Sequence, residues 1–66
     1  MSEGQVEIAI DAMGGENSPF KVLKGVELFQ QKEKNAKIIF FGDEVAIYQS
    51  IKKNNLNISN YIVNYI

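Results

Sequence analysis

Two short apolar runs constrain the fold of this chain more than any other feature of its sequence. The first, Val6–Ile10, reads VEIAI, and the second, Lys37–Phe41, reads KIIFF. Both are rich in β-branched or aromatic residues and too short for a helix, so each predicts a β-strand. Apolar character that is nearly continuous is typical of parallel strands covered on both faces, and we expect that burial for both strands.

A helical pattern lies between the two predicted strands. Apolar residues recur at spacings of three and four residues up to about Lys32, at Val22, Leu23, Val26 and Phe29. This pattern predicts an amphipathic helix with one stripe facing the core. Ser18 has a side chain suited to the N-cap, and Pro19 is suited to the first helical position, so we expect the helix to start there.

The rest of the chain continues the same alternation. Asp43 is predicted to cap a second helix, which carries Ile47 and Ile51 on its core face and ends before Asn54. A third strand is predicted within Ile58–Ile66, a run rich in β-branched and aromatic residues. Strands and helices in this order form a β-α-β-α-β unit, which favours a parallel sheet with right-handed crossovers and an α/β fold.

The predicted sheet is incomplete on physical grounds. A small open parallel sheet exposes strand edges and apolar faces that further strands and helices normally cover. A chain of 66 residues buries only about 60% of the surface that its unfolded form exposes. The sequence shows no linker and no repeat, so we expect it to be part of one larger α/β domain without an internal boundary.

Composition excludes several classes of function. The chain has no Cys and no His, which removes thiol nucleophiles, the usual soft zinc ligands and an imidazole base. Its net charge of −1 provides no field that would gather nucleic acid, so no nucleic-acid partner is expected. The longest apolar run, Ile38–Phe41, is far shorter than the roughly 20 residues of a membrane-spanning helix. Because Met1–Gln5 do not resemble the start of a secretion signal, a cytoplasmic location is expected.

The stretch Asp11–Pro19, DAMGGENSP, carries the residues best suited to chemistry. It joins the carboxyl end of the first strand to the amino end of the first helix, where open α/β sheets bind ligands. Gly14 and Gly15 allow the backbone to approach a ligand, and free N–H groups at a helix start favour an anion such as phosphate. The glycine spacing fits neither the dinucleotide fingerprint nor the ATPase phosphate loop.

Each of these residues also has a purely structural interpretation. The two glycines can form a simple turn, and Asp11 either accepts backbone N–H groups or orients a substrate. Lys21 is the nearest cation, but an exposed helical lysine is the simpler interpretation. Since the carboxylates of Asp11 and Glu16 repel phosphate, an anion site here requires a Lys or Arg from another part of the protein.

The first strand and its loop resemble the PlsX-type phosphate acyltransferases, also called fatty acid/phospholipid synthesis proteins. The family's signature is similar to IAIDAMGGDxAP, and Ile8–Pro19 reads IAIDAMGGENSP, with Glu16 in place of Asp and Ser18 in place of Ala. The stretch Ile38–Glu44, IIFFGDE, is similar to the family's next strand and its Gly-Asp. The third strand is less similar, and Asn64 stands near the family's His-containing stretch.

The resemblance implies that residues 1–66 are the amino-terminal part of a three-layer Rossmann-like sheet, of the isopropylmalate dehydrogenase-like or phosphotransacetylase-like kind. It implies an enzyme that converts acyl-[acyl-carrier-protein] and inorganic phosphate into acyl phosphate and free carrier protein, for phospholipid and fatty acid metabolism. No cofactor and no metal are implied. The whole enzyme is expected to be a cytoplasmic homodimer that associates peripherally with the membrane, whereas this piece alone is expected to be inactive.

At the site, the resemblance implies a catalytic part for Asp11. It places Met13, Gly14, Gly15, Glu16 and Pro19 in or beside the substrate and phosphate pocket. Two other functions stay open from the residues themselves. One is a small non-catalytic α/β binding or interaction module, and the other is a nucleotide-binding half-domain, which the glycine spacing disfavours.

Overall fold

Strands and helices alternate along the chain in the computed structural model, which describes residues 6–65. In chain order the elements are β1 (Val6–Asp11), α1 (Phe20–Lys32), β2 (Ala36–Phe41), α2 (Glu44–Lys53) and β3 (Tyr61–Asn64). The three strands form one parallel sheet in the order β1-β2-β3. This arrangement confirms the predicted β-α-β-α-β unit of a Rossmann-like α/β fold.

Both helices cover the same face of the sheet. The core combines alternate side chains of β2 with side chains from both helices, and it includes Leu23, Val26, Ala36, Ile38, Phe40 and Ile47. Burying one Ile, Leu or Phe side chain contributes roughly 1.5–3 kcal/mol, so this cluster is the main source of stability. Within residues 6–65, neither helix is long and apolar enough to cross a bilayer.

Within residues 6–65 the opposite face of the sheet is open, which differs from the expectation that both strands are covered on two faces. Every second side chain of β2, namely Lys37, Ile39 and Phe41, is only partly buried. On the same face of β1, Glu7 and Ala9 are exposed. The physical reason is that both helices pack on one face, and β1 stands at the edge of the sheet with β2 as its neighbour.

The start of α1 differs from the prediction. The helix begins at Phe20 with Pro19 as its N-cap residue, so Ser18 is not the N-cap and Pro19 is not the first helical residue. The Ser18 hydroxyl lies 2.6 Å from the carbonyl oxygen of Gly14 and 2.9 Å from that of Gly15. It donates back into the loop because these nearby acceptors compete with the helix end for the side chain.

The start of α2 agrees with the prediction. The Oδ1 atom of Asp43 accepts the backbone N–H groups of Val45 and Ala46 at 3.0 and 3.2 Å. This carboxylate satisfies two of the amide groups that a helix start leaves without a partner inside the helix. As predicted, Ile47 is buried, and Ile51 packs against the core.

The third strand, Tyr61–Asn64, lies within the predicted run Ile58–Ile66. Pairing begins only at Tyr61, because Asn60 has a φ of 54°, a left-handed backbone conformation that does not occur in a strand. The Asn60 side chain donates to the carbonyl oxygen of Ala36 at 3.2 Å, which ties this bend to the start of β2. Ile66 lies outside the described residues.

Two polar side chains of α1 hold the segment that leads into β3. The Glu27 carboxylate accepts the backbone N–H of Asn57 at 2.8 Å and the Lys24 ammonium at 2.7 Å. Gln30 donates to the carbonyl oxygen of Ser59 at 2.7 Å, and its own oxygen accepts the Ser59 N–H at 3.1 Å. These contacts fix α1 against the sheet at the amino ends of the strands.

Candidate functional site

The carboxyl ends of the three strands lie side by side. Asp11 pairs in register with Phe41, and Phe41 pairs with Asn64. The hydrogen bonding continues one residue further, since Ala12 N–H donates to the Phe41 oxygen and Gly42 N–H donates to the Asn64 oxygen, both at 3.0 Å. The loops that follow β1 and β2 therefore leave the sheet from neighbouring points, at the edge where open α/β sheets bind ligands.

Asp11 stabilises the first turn of the loop that follows β1. Its Oδ1 atom accepts the backbone N–H of Met13 at 3.0 Å, which is the short-range bond typical of an Asx turn. Its Oδ2 atom lies beside Gly14, since a Cβ on that glycine would be 3.3 Å away. The turn-stabilising interpretation of Asp11 is thus observed, and its catalytic part stays a prediction.

The double-glycine turn presents its backbone to solvent. Gly15 has a φ of 89°, a conformation that residues with a Cβ adopt only rarely. Met13, Gly14, Gly15 and Glu16 are all exposed, and the Ser18 hydroxyl closes the loop behind them. A ligand at this edge would therefore meet main-chain groups first.

The amino end of α1 is less open to an anion than the sequence predicts. The N–H of Lys21 already donates to the carbonyl oxygen of Asn17 at 3.0 Å, so this amide is not free for a ligand. Pro19, the N-cap residue, has no N–H to offer. The carboxylates of Asp11 and Glu16 add negative charge to the corner, while the Lys21 side chain is exposed nearby. An anion bound here requires further cations, as the sequence also indicates.

Gly42 and Asp43 lie at the same edge, and the sequence does not predict the contact between the two loops. Met13 packs directly against Gly42, and a Cβ on Gly42 would lie 2.6 Å from the Met13 Cγ atom. Asp43 is turned away into the cap of α2. No local sequence signal identifies such a contact, because it depends on the parallel pairing that brings the two strand ends together.

Two cavities in the described part of the chain lie away from these residues. An open apolar groove of about 320 Å³ follows the free edge of β1 beside α1, and it is lined by Ile8, Ile10, Val22, Gly25, Val26 and Phe29. A smaller polar cavity of about 130 Å³ adjoins Glu27 and Gln30. Neither is lined by the predicted site residues. Among residues 6–65, no group of three or more His, Cys, Asp or Glu side chains is placed to hold a metal ion.

This chain is similar to known proteins over nearly all of its described residues. The sequence model of a family described as "Fatty acid synthesis protein" matches residues 6–64. The phosphate acyltransferase of Azorhizobium caulinodans is 52% identical over 42 residues, which are 64% of this chain and 12% of the relative. That of Caldicellulosiruptor bescii is 44% identical over 39 residues, 59% of this chain and 12% of the relative. That of Staphylococcus aureus strain JH9 is 46% identical over 52 residues, 79% of this chain and 14% of the relative.

The matches span 12% to 14% of the length of these curated relatives. No solved structure matches the chain. The family match begins at the first residue of β1 and ends at the last residue of β3, so it includes the loop with the double glycine and the Met13–Gly42 contact. This chain is a member of the fatty acid synthesis protein family.

Proposed function

We propose that this chain is the amino-terminal part of an acyltransferase that converts acyl-[acyl-carrier-protein] and inorganic phosphate into acyl phosphate and free carrier protein. The observation that carries the proposal is the exposed turn from Met13 to Glu16, placed at the ligand-binding edge of the sheet in a chain of this family. The name of the three relatives, phosphate acyltransferase, supports the same reaction class.

The proposed reaction depends more on the positioning of its two substrates than on acid or base catalysis by a side chain. A phosphate oxygen attacks the thioester carbonyl carbon and forms the new C–O bond, after which the tetrahedral intermediate collapses and the C–S bond breaks. The carrier leaves as a thiolate and takes a proton from solvent. Since a cysteine-like thiol has a pKa of about 8.5, the leaving group needs little acid assistance, and a corner without Cys or His is suited to the task. Holding phosphate in line and stabilising the oxyanion account for the rate.

Different residues of the loop after β1 would perform these two tasks. The backbone N–H groups of the Gly14–Gly15 turn would hold phosphate oxygens, because the glycines leave room for close approach. Met13, Glu16 and Pro19 would border the pocket. Asp11 would orient the substrate while it keeps the turn in place. The cations that balance phosphate would come mainly from residues beyond this sequence.

Other parts of the proposal concern the whole protein. Residues 1–66 would belong to one larger α/β domain, and the intact enzyme would be a cytoplasmic homodimer bound peripherally to the membrane. It would act in phospholipid and fatty acid synthesis, with acyl carrier protein as its protein partner and without a cofactor. The 66-residue piece alone would be inactive because it lacks the cationic phosphate ligands.

The direct test is an assay of the protein made from the complete reading frame that contains this sequence. Purified enzyme is mixed with acyl carrier protein thioester and radiolabelled phosphate, and labelled acyl phosphate is separated from free phosphate and counted. We expect formation of acyl phosphate that depends on both substrates. A folded, full-length protein that forms none would contradict the proposal.

Asp11 allows a sharper test of the site in the same enzyme. Asp11→Asn keeps an oxygen that can accept the Met13 N–H, so we expect the melting temperature to stay close to that of the wild type. Loss of the charge should lower kcat by about 100-fold if the carboxylate orients the substrate. Asp43→Asn is the matched control, because asparagine also caps helices and Asp43 faces α2. If Asp11→Asn is as active as Asp43→Asn, the only role of Asp11 is to stabilise the turn.

A further inference from the structure

Met13 occupies the space in which a side chain of residue 42 would lie. A Cβ on Gly42 would be 2.6 Å from the Met13 Cγ atom, 3.1 Å from its Sδ atom and 3.5 Å from the Cδ1 atom of Ile47. Gly42 is buried, whereas Met13 is 39% exposed. The Met13 side chain therefore covers the α-carbon of Gly42 and separates it from solvent.

Backbone hydrogen bonds to the neighbouring strand ends hold Met13 and Gly42 in place. Ala12, which is fully buried, donates its N–H to the Phe41 oxygen, and Gly42 donates its N–H to the Asn64 oxygen, both at 3.0 Å. The N–H of Met13 itself is held by Asp11. Because neither residue is able to slide along the sheet, the contact sets the direction in which the loop leaves β1.

The double-glycine turn depends on that direction. Gly14 and Gly15 follow Met13 directly, they are exposed, and glycines add conformational freedom rather than stiffness. A Met side chain is flexible and polarizable, so it fits closely onto a bare backbone surface. The loop thus has a packed contact immediately before its two glycines.

We propose that Gly42 is a positioning residue for the acyl-transfer reaction. Because glycine has no Cβ, the Met13 side chain can occupy the space that a Cβ of residue 42 would take. The contact places the amide groups of Gly14 and Gly15 at the end of the sheet, where the phosphate of the proposed reaction is bound. This inference rests on the proposed function. It assigns a part in the site to the residue that follows β2, whereas the rest of the site belongs to the loop after β1.

The kinetic test uses the full-length enzyme with Gly42→Ala, Met13→Ala and the double variant. Alanine at residue 42 displaces the Met13 side chain, and a shift of about 1 Å at a catalytic group can cost about 100-fold in rate. We expect Gly42→Ala to lower kcat/KM for phosphate by up to about that factor, mainly through a higher KM for phosphate. In the Met13→Ala background, Gly42→Ala should have a smaller effect, because the displaced atoms are absent and only the strain of alanine at the Gly42 φ of 157° remains.

Two kinetic outcomes would overturn the inference. One is a Gly42→Ala enzyme with wild-type KM and kcat for phosphate. The other is an equal loss from Gly42→Ala in the presence and absence of the Met13 side chain. A role confined to folding would lower the melting temperature and the yield of active enzyme and leave KM for phosphate unchanged.

A measurement that does not depend on enzyme activity separates this inference from the proposed function. In amide NMR spectra, Gly42→Ala should shift the signals of Gly14 and Gly15 and leave those of Asn57 and Ser59 in place. Met13→Ala, which retains Gly42, should shift the signal of Gly15, which is not adjacent to the substitution, so the test survives if Gly42→Ala fails to fold. An unchanged Gly15 signal in Met13→Ala would overturn the positioning role. If that signal shifts but the wild-type enzyme is inactive, the acyl-transfer reaction is removed and the positioning of the turn by the Met13–Gly42 contact stays.

Discussion

The Glu27 carboxylate accepts the backbone N–H of Asn57 at 2.8 Å, although the two residues are 30 positions apart in the chain. Its second oxygen accepts the Lys24 ammonium at 2.7 Å. Glu27 is 8% exposed, so the carboxylate is largely removed from water and depends on these partners. It joins α1 to the segment before β3, and it does so best in its ionised form.

Stability should therefore depend on the protonation of Glu27. The hydrogen bond from Lys24, followed by that from the Asn57 backbone, lowers the pKa of Glu27 below its ordinary value of 4.5. A carboxyl group whose pKa is lower in the folded state adds stability above its unfolded pKa and loses it as pH falls through the folded value. We expect the free energy of unfolding to decrease as pH falls below 4.5, and Glu27→Gln to weaken this dependence.

Urea denaturation at neutral pH and at several acidic pH values measures the effect. Glu33→Gln is the control, because Glu33 is an exposed acid just after the same helix. The control should keep the wild-type pH dependence. If Glu27→Gln also keeps it, the link between α1 and Asn57 does not contribute to acid sensitivity.

Gln30 provides a second prediction, since its side-chain amide forms both a donor and an acceptor bond with Ser59. Gln30→Ala removes both bonds, and each typically contributes about 0.5–1.5 kcal/mol net. We expect a loss of about 1–2 kcal/mol in the free energy of unfolding, with faster hydrogen exchange at the Ser59 amide. The exposed neighbour Gln31 is the matched control, and Gln31→Ala should stay within about 0.5 kcal/mol of the wild type. Equal losses at both positions would contradict the prediction.

The two faces of the sheet should respond differently to the same substitution. Ile38 is 0% exposed on the helix-covered face, whereas Ile62 is 43% exposed on the open face. Ile38→Ala should cost about 2–5 kcal/mol, and Ile62→Ala no more than about 1 kcal/mol. Thermal or urea denaturation of the two variants makes the comparison, and similar losses would mean that the open face is covered in solution.

The same pair tests self-association of the 66-residue chain. An open apolar face and unpaired strand edges favour contacts between copies. We expect the chain either to associate in sedimentation experiments or to stay partly unfolded, and where it associates we expect Ile62→Ala to weaken that association. A sharply melting monomer would contradict this expectation.

The order of the elements could be predicted because its causes are local. The runs VEIAI and KIIFF identify two strands by length and composition, and Asp43 marks a helix start by a bond that reaches only three residues. A parallel sheet follows from the alternation of strands and helices. The exposed double-glycine turn at the carboxyl edge was also predictable, because strand order fixes where that loop lies.

Other features depended on distances that a sequence does not reveal. Ser18 has both loop carbonyls and the helix start within reach, and only the fold decides which one its hydroxyl contacts. The Met13–Gly42 contact and the Glu27–Asn57 bond join residues that are remote along the chain. Burial of both sheet faces is not observed within residues 6–65, because composition records how apolar a strand is and not how many layers are present to cover it.

The polar side chains that hold α1 lie in the second half of the helix, whereas the glycine turn precedes its amino end. Glu27 and Gln30 contact the segment that leads into β3. The contacts that fix α1 are therefore separate from the turn that is proposed to bind a ligand. Replacement of residues in the turn should leave these contacts, and with them the packing of α1 on the sheet, in place.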